Sequence, residues 1–353
     1  MKWFAMVFVC TVLVSWSVCR GDQLSPNARW GKVAARAEKA FKQSEDAQKS
    51  SWEKMRRRVL QKWHNPALPG QKTFVEYFDH DTSRVKVDYE NGKVTVEALT
   101  DYSNRLEVAK HEIASALSSV ISNNPNSVNA VLTSDEIPKP TNSNEPLVSS
   151  LSQDAQLVGI EAGTDHQKRE LYRVTFRLVP DYIKLRAAKY KPIVKFWASK
   201  YNLDPALVLG IIRQESAFNP RARSWVGAIG LMQVYPKFAG REVFKVVTKK
   251  DLIPSDNYLY NASNNIMVGV TYLQILRDNY FGNITNKKKQ RYLMICAYNW
   301  SATHLKKDME EGRLPIRAPA SIVFNRLEQI TPSETQNYLK RVTQYANEFR
   351  GDE

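Results

Sequence analysis

The spacing of apolar residues changes once along this chain, about halfway, and this change limits the possible folds. In the first half, Arg84–Glu97 alternates apolar and polar residues around Asn91-Gly92, the strongest short signal for a β-hairpin. In the second half, apolar residues recur at helical spacing as far as the end of the chain. We therefore predict an α+β domain over residues 20–180 and an all-α domain over residues 181–353.

Local composition predicts further elements of the first domain. Residues 27–63 are rich in Ala, Lys, Glu, Gln and Arg and hold almost no helix breakers, which favours a long exposed helix. A second helical stretch is predicted near residues 105–121. Residues 123–150 are dense in Asn, Ser, Thr and Pro, as in a surface loop, and residues 171–179 alternate as a strand.

Residues 1–19 have the pattern of an export signal, with an apolar run too short to span a bilayer. Cys19 follows this run directly and is placed like the lipidated cysteine of a bacterial lipoprotein, although Val18 stands where a small residue is usual. The alternative is ordinary cleavage near Ser15–Ser17, which leaves Cys19 as a free thiol. Cys296 is then the only cysteine in the body of the protein, so no structural disulfide is predicted.

Charge and residue spacing narrow the possible partners. The formal net charge of +15 favours attraction to polyanions, including anionic lipid and acidic wall polymers. We find no zinc-type cysteine spacing, no glycine-rich phosphate loop and no aromatic RNA-binding pattern, so no nucleic-acid partner is predicted. The five histidines show no metal-ligand spacing, and we predict neither a metal nor a cofactor.

One predicted helix of the second domain carries a carboxyl group on its apolar side. Asp204 can cap the helix and Pro205 suits its first position. Glu215 continues the stripe formed by Val208 and Ile212, so it lies on the buried face. A carboxyl group removed from water keeps its proton to higher pH and can act as an acid. The alternative is a surface glutamate paired with a nearby arginine.

Three short motifs carry a family resemblance. Residues 215–222 (ESAFNPRA), 230–233 (GLMQ) and 297–299 (AYN) resemble, in this order, the signature of the family-1 lytic transglycosylases. Similarity continues through residues 265–273 and 338–342. The resemblance implies a lysozyme-like fold for the second domain, and the whole chain is similar to the membrane-bound members of the family.

The resemblance also implies roles for individual residues. Glu215 would protonate the glycosidic oxygen between N-acetylmuramic acid and N-acetylglucosamine, then accept a proton from the muramoyl C6 hydroxyl. The product would be a 1,6-anhydro sugar, formed without water. Contacts with the substrate or with the acid are implied for Ser216, Met232, Gln233, Tyr298, Asn299 and Tyr338.

Several of these residues have a simpler alternative. Ser216 could be a local backbone partner, Met232 a core residue and Tyr338 a packing residue. The chain also departs from the family at Trp300, where small residues are usual after the third motif. We expect Trp300 either to stack on a sugar or to fill space and narrow one subsite.

The expected partner is peptidoglycan, reached from the periplasmic side by an enzyme anchored to the outer membrane through lipid on Cys19. Other cell-wall proteins are possible further partners. Two rival functions stay open: a lysozyme-type hydrolase that uses Glu215 with an activated water, and an inactive wall-binding scaffold.

Overall fold

The computed structural model describes residue 46 and residues 49–101, 105–139, 147–300 and 302–351. The predicted leader and Cys19 lie outside the described residues, so cleavage and lipidation stay predictions. Within the described ranges, no helix combines the length and the apolar character needed to cross a membrane.

A five-stranded antiparallel sheet organises the first domain. Its strands are β1 (Thr73–Phe78), β2 (Ser83–Asp88), β3 (Lys93–Thr100), β6 (Gln156–Ala162) and β7 (Lys168–Arg177). They lie in the order β1-β2-β3-β7-β6. The predicted hairpin is confirmed: Asp88 pairs with Lys93, and Gly92 takes the left-handed conformation that the turn requires (φ +61°). The strand expected at 171–179 is confirmed as β7, whereas β1 and β6 were not predicted.

One face of the sheet is covered by helix α2 (Arg105–Val120), close to the predicted range. Ile113 and Leu117 are fully buried and belong to one core with Val85 and Val96 of the sheet. The alternation of the two strands therefore places their apolar residues under an amphipathic helix.

The opposite face of the sheet receives helix α1, described as residues 49–60. Val59 and Trp63 are fully buried against Leu99 and Leu171. The prediction of an exposed helix is therefore wrong at this end. The apolar residues Met55, Val59 and Trp63 recur every four positions, the spacing of one helix face.

Residues 123–150 are not the simple surface loop that their composition predicts. They contain β5 (Leu132–Thr133), which pairs in parallel with β4 (Ile121–Ser122), and helix α3 (Leu147–Gln153) begins within them. A short 3₁₀ turn, Ser134–Glu136, follows β5, and Glu136 is fully buried. The prediction failed because composition does not show that this carboxyl group meets cations of the second domain.

Beyond the sheet, the described chain is helical, which confirms the predicted α+β and all-α arrangement. The helices are α4 (Tyr182–Lys200), α5 (Pro205–Ser216), α6 (Arg241–Thr248), α7 (Asp256–Tyr260), α8 (Ala262–Ile275), α9 (Lys287–Asn299), α10 (Ala302–Glu310), α11 (Ala320–Ile330) and α12 (Ser333–Gly351). Two π-helical segments, Pro236–Gly240 and Leu276–Tyr280, adjoin α6 and α8.

Helices α5 and α12 approach each other unusually closely. A Cβ atom on Gly210 would lie 3.0 Å from the backbone nitrogen of Ala346 and 3.1 Å from the carbonyl oxygen of Val342. Only a glycine therefore allows the two backbones to approach this far. This approach brings the end of α5 beside the first turns of α12.

Candidate active site

Helix α5 presents Glu215 in its last turn. The Asp204 carboxylate caps the helix by accepting a bond from the backbone N–H of Ala206 (3.0 Å), and Pro205 occupies the first helical position, as predicted. Ala217 and Phe218 then take left-handed conformations, with φ +48° and +62°. The chain therefore leaves the helix after Ser216, so the Glu215 side chain lies in the last helical turn.

The Glu215 carboxyl group has a neutral hydrogen-bond partner. Tyr338 Oη, on α12, donates to Glu215 Oε1 over 2.7 Å. Part of the residue remains accessible to solvent, but protein atoms surround the carboxyl group, and this burial raises its pKa to about 8. The Tyr338 hydrogen bond and the charge of Lys72 lower the pKa, whereas the charge of Glu334 raises it further. The loss of hydration is the largest effect, so Glu215 is protonated at neutral pH.

Tyr338 is itself buried, at 3% exposure. Burial is the main cause that raises the pKa of its hydroxyl well above the ordinary value, and the charge of Glu215 adds to it. The hydroxyl thus stays a neutral donor over the whole useful pH range. The structure places this residue beside Glu215, as the resemblance implied.

The loop that contains Gly230–Gln233 is held by a residue that sequence reasoning did not single out. Asn265 on α8 is fully buried; its Nδ2 donates to the carbonyls of Ile229 (2.8 Å) and Leu259 (2.9 Å). Its Oδ1 accepts from the N–H of Met232 (2.8 Å). A Cβ atom on Gly230 (φ +75°) would lie 2.4 Å from Asn265 Nδ2. An asparagine among the apolar residues of α8 was the available signal, because buried amides need partners.

The Met232 side chain of this loop packs on α8, and the Tyr298 hydroxyl bonds to the loop backbone. Met232 is fully buried, and its sulfur packs so near α8 that a Cβ on Gly269 would approach it to 2.4 Å. Tyr298 is 4% exposed, and its hydroxyl donates to the Met232 carbonyl over 2.8 Å. Both side chains therefore support the loop in this structure, and their implied contact with a sugar stays a prediction.

The Ser216 hydroxyl contacts backbone carbonyl groups in this structure. The residue is fully buried, and its hydroxyl lies 2.8 Å from the Leu231 carbonyl and 3.1 Å from the Ile212 carbonyl. The alternative of a backbone partner is the one that the structure shows. Ser216 thus ties the end of α5 to the loop and is a positioning residue.

Gln233 keeps an unused acceptor. Its Nε2 donates to the Gly230 carbonyl over 3.0 Å, while its buried Oε1 has no hydrogen-bond partner among the residues that the structure describes. The residue takes a left-handed conformation, with φ +45°. A buried acceptor of this kind is uncommon in folded proteins, and a ligand donor would satisfy it.

Asn299 and Trp300 end helix α9. Asn299 Oδ1 accepts from Thr335 Oγ1 over 2.7 Å, which links α9 to α12. The Trp300 ring stacks on His304 with centroids 5.1 Å apart and 20° between the planes, and it packs against the core. This packing favours the space-filling alternative for Trp300.

Among the residues that the structure describes, no group of three or more His, Cys, Asp or Glu side chains could hold a metal ion.

Comparison with known proteins finds one matching family model in each half of the chain. The family model "Transglycosylase SLT domain" matches residues 192–314, and the model "Membrane-bound lytic murein transglycosylase C, N-terminal domain" matches residues 40–163.

Named relatives match over most of their length. The membrane-bound lytic murein transglycosylase C of Actinobacillus pleuropneumoniae serotype 5b is 31% identical over 314 residues, which cover 80% of this chain and 81% of that protein. The protein of the same name from Photorhabdus laumondii is 31% identical over 302 residues, which cover 79% and 83%. Among solved structures, the 70 kDa soluble lytic transglycosylase from Escherichia coli matches with 28% identity and a TM-score of 0.39, over 47% of this chain and 25% of that chain.

Proposed function

Because this chain belongs to the membrane-bound lytic murein transglycosylase C family, we propose that it cleaves peptidoglycan strands with Glu215 as its acid and base. As a member of the family it is a lyase that acts on peptidoglycan. The single observation that carries the role of Glu215 is its buried carboxyl group, with a pKa of about 8 and a neutral tyrosine donor.

The first step of the proposed reaction uses the protonated form of Glu215. Glu215 donates its proton to the glycosidic oxygen between N-acetylmuramic acid and N-acetylglucosamine. The bond from the muramoyl C1 to this oxygen breaks, and its electron pair stays on the oxygen, which leaves as a hydroxyl group. Positive charge develops at the C1 centre, and Glu215 is left as a carboxylate.

The second step restores the acid. The C6 hydroxyl oxygen of the same muramoyl unit attacks C1 and forms the 1,6-anhydro bond. Its proton passes to the Glu215 carboxylate, so the enzyme returns to its starting state and no water is consumed. Because one group gives and takes the proton, this route needs no second catalytic carboxylate.

The hydrogen bond from Tyr338 makes the two carboxyl oxygens of Glu215 different. Oε1 accepts the tyrosine hydrogen bond and is therefore the carbonyl oxygen of the protonated acid. The transferable proton then resides on Oε2. We propose that Tyr338 orients the acid and stabilises the carboxylate that forms after proton transfer.

Gln233 is the residue of this loop best suited to bind the sugar. Its Oε1, which has no partner within the described part of the chain, can accept a bond from a hydroxyl group or from an acetamido N–H. We propose that Asn299 also binds the glycan, since it is half-buried at the junction of α9 and α12.

The test is product analysis in water labelled with heavy oxygen. The purified protein, incubated with sacculi, should release muropeptides that end in 1,6-anhydro groups and carry no label, as mass spectrometry would show. A hydrolase would instead give reducing ends that contain the label. A scaffold would release nothing, and either result would overturn the proposed reaction.

Glu334 offers a matched control for the hydrolase alternative. It is an exposed carboxylate whose charge acts on Glu215, so it is the natural candidate for a base that activates water. Under the lyase mechanism, Glu334→Gln keeps anhydro-product release within about twofold of the parent, since it takes part in neither proton transfer. A loss as large as that of Glu215→Gln would favour the hydrolase.

Membrane attachment is the second part of the proposal. The relatives are named membrane-bound, and Cys19 follows a leader-like apolar run. We propose that lipid on Cys19 anchors the protein to the outer membrane on its periplasmic side. Labelled lipid should be incorporated into the parent and be absent from Cys19→Ser, with outer-membrane fractionation lost in parallel. A parent that carries no label and fractionates as a free protein would contradict the anchor.

A further inference from the structure

The chain turn after Glu215 is strained and needs outside support. Ala217 and Phe218 are consecutive non-glycine residues in the left-handed region, a conformation that costs free energy at each position. The Phe218 ring is fully buried and stacks on Tyr190 with centroids 6.0 Å apart and the planes 4° from parallel. The ring is thus fixed by packing, while the carbonyl of the same residue needs a polar partner.

Arg186 on α4 supplies that partner. Its Nη2 donates to the Phe218 carbonyl over 2.9 Å, and its Nε approaches the same oxygen at 3.3 Å. The side chain is 1% exposed, so water does not compete for these bonds. The guanidinium plane therefore fixes the position of the carbonyl three residues beyond the catalytic carboxyl group.

The counter-charge of Arg186 comes from the first domain. Arg186 Nη1 donates to Glu136 Oε2 over 2.6 Å and to the Val131 carbonyl over 3.1 Å. The guanidinium also lies over the Tyr89 ring, 4.3 Å from its centroid. All three groups belong to the α+β domain, so a cation of the helical domain is held in place by the domain that precedes it.

A second cation shares the same carboxylate. Lys189, one helical turn after Arg186, contacts Glu136 Oε1 and donates to Thr133 Oγ1 over 2.6 Å. Burial lowers the pKa of Lys189, and the charge of Arg186 lowers it further. Removal of the Glu136 charge would leave two buried cations facing each other, and Arg186 would have to move away from Phe218.

We propose that Glu136 is a positioning residue for Glu215, acting through Arg186 and the Phe218 carbonyl, so that glycan cleavage depends on the docked first domain. This inference rests on the proposed function of Glu215. It makes the α+β domain part of the catalytic apparatus. Two further contacts agree with it: Asn219 Nδ2 donates to the Gln71 carbonyl (3.2 Å), and the Arg223 N–H donates to the Gly70 carbonyl (3.4 Å).

The first domain contains a matched control. Glu97 is buried like Glu136, at 3% exposure, and it also pairs with two cations: Arg84 Nε at 2.5 Å and Arg173 Nη2 at 2.5 Å. These three residues face one another across β2, β3 and β7, so the whole cluster belongs to the sheet. Loss of the Glu97 charge should therefore destabilise the first domain without moving the turn after Glu215.

The experiment compares Glu136→Gln with Glu97→Gln in the full chain. Both variants should melt at lower temperature. We expect kcat for anhydro-product release to fall about tenfold in Glu136→Gln with KM little changed, since small displacements of a catalytic group are costly. In Glu97→Gln, kcat should stay within about twofold of the parent. Equal kcat losses in the two variants, or a parental kcat in folded Glu136→Gln, would overturn the proposal.

A second readout does not depend on activity. Carbon-13 NMR titration of labelled glutamate carboxyls, assigned with Glu215→Gln, should show the Glu215 signal shifted in Glu136→Gln and parental in Glu97→Gln. If Glu136→Gln does not fold, Arg186→Lys can be used instead. This variant keeps the positive charge but removes the guanidinium group that bonds to the Phe218 carbonyl, and it should show the same shift of the Glu215 signal. An unmoved Glu215 signal refutes the positioning role, whereas a parent that forms no anhydro product refutes the proposed function instead.

Discussion

Two buried carboxyl groups of this protein, Glu136 and Glu215, have opposite electrostatic surroundings. Glu136 meets Arg186 and Lys189 where the two domains touch. Glu215 has a neutral hydroxyl donor, Tyr338, and the loss of hydration raises its pKa to about 8. In the first region cations compensate for burial, and in the second they do so only weakly. A buried carboxylate that is paired with cations forms an ion pair that joins the two domains. A buried carboxyl group without a strong cation beside it keeps its proton and can act as an acid at neutral pH.

The largest expected effect comes from Glu215→Gln, which keeps the volume of the side chain and removes the proton that the carboxyl group transfers. General acid catalysis contributes about 10²–10⁴-fold, and more is expected when one group performs both transfers. Anhydromuropeptide release should fall by at least this factor while the protein stays folded. Turnover near that of the parent, with an unchanged circular dichroism spectrum, would contradict the role of Glu215 as the acid and base.

Tyr338→Phe should have the next largest effect. The hydroxyl bond contributes about 1 kcal/mol to the orientation of the acid, which corresponds to roughly five- to tenfold in kcat. Because this bond lowers the pKa of Glu215, its removal should also move the alkaline limb of the rate profile above pH 8. A limb that moves downward would show that Tyr338 does not stabilise the carboxylate.

The pH dependence of stability gives a smaller effect with a definite sign. Folding raises the pKa of Glu215 from about 4.5 to about 8, so the folded state binds the proton more tightly than the unfolded state. The stability associated with the protonated carboxyl is present below pH 4.5 and is lost as the pH rises through 8. Glu215→Gln lacks this titration, so its Tm relative to the parent should rise between pH 5 and 8. A constant difference would mean that Glu215 does not titrate in this range.

Lys72→Met should give the smallest effect. Lys72 is a first-domain cation whose charge lowers the pKa of Glu215, but its ammonium group also pairs with Glu90 at 2.8 Å. Its removal should raise the alkaline limb by less than about half a pH unit, as expected for a screened charge. A shift above one unit would show that Glu215 is also compensated by a strong cation, and the contrast with Glu136 would fail.

The sequence predicts the position of Glu215 much better than that of Glu136. Asp204, Pro205 and the apolar stripe define α5, and helical phase then places Glu215 on a buried face. Glu136 lies in a segment whose composition predicts a loop, and its cations come about fifty residues later. Such distant pairing leaves no local pattern, so only the folded chain shows it.

The motif residues show a second limit of sequence reasoning. Met232, Tyr298 and Ser216 occupy motif positions, yet their side chains hold the loop and the helix end from below. A motif records that a residue is needed, but it does not separate contact with a sugar from support of a neighbour. Asn265 illustrates the converse, since this residue outside the three motifs bonds twice to the loop backbone and once to α7.

The most direct test is a measurement of the Glu215 pKa itself. Carbon-13 NMR of carboxyl-labelled protein, with the signal assigned by its absence in Glu215→Gln, would follow this one group from pH 4 to pH 9. Because the Glu215 carboxyl group is buried without a strong cation beside it, its titration midpoint in the parent should lie at about pH 8. A midpoint near the ordinary value of 4.5 would show that Glu215 is ionised at neutral pH, and it could not be the acid described here.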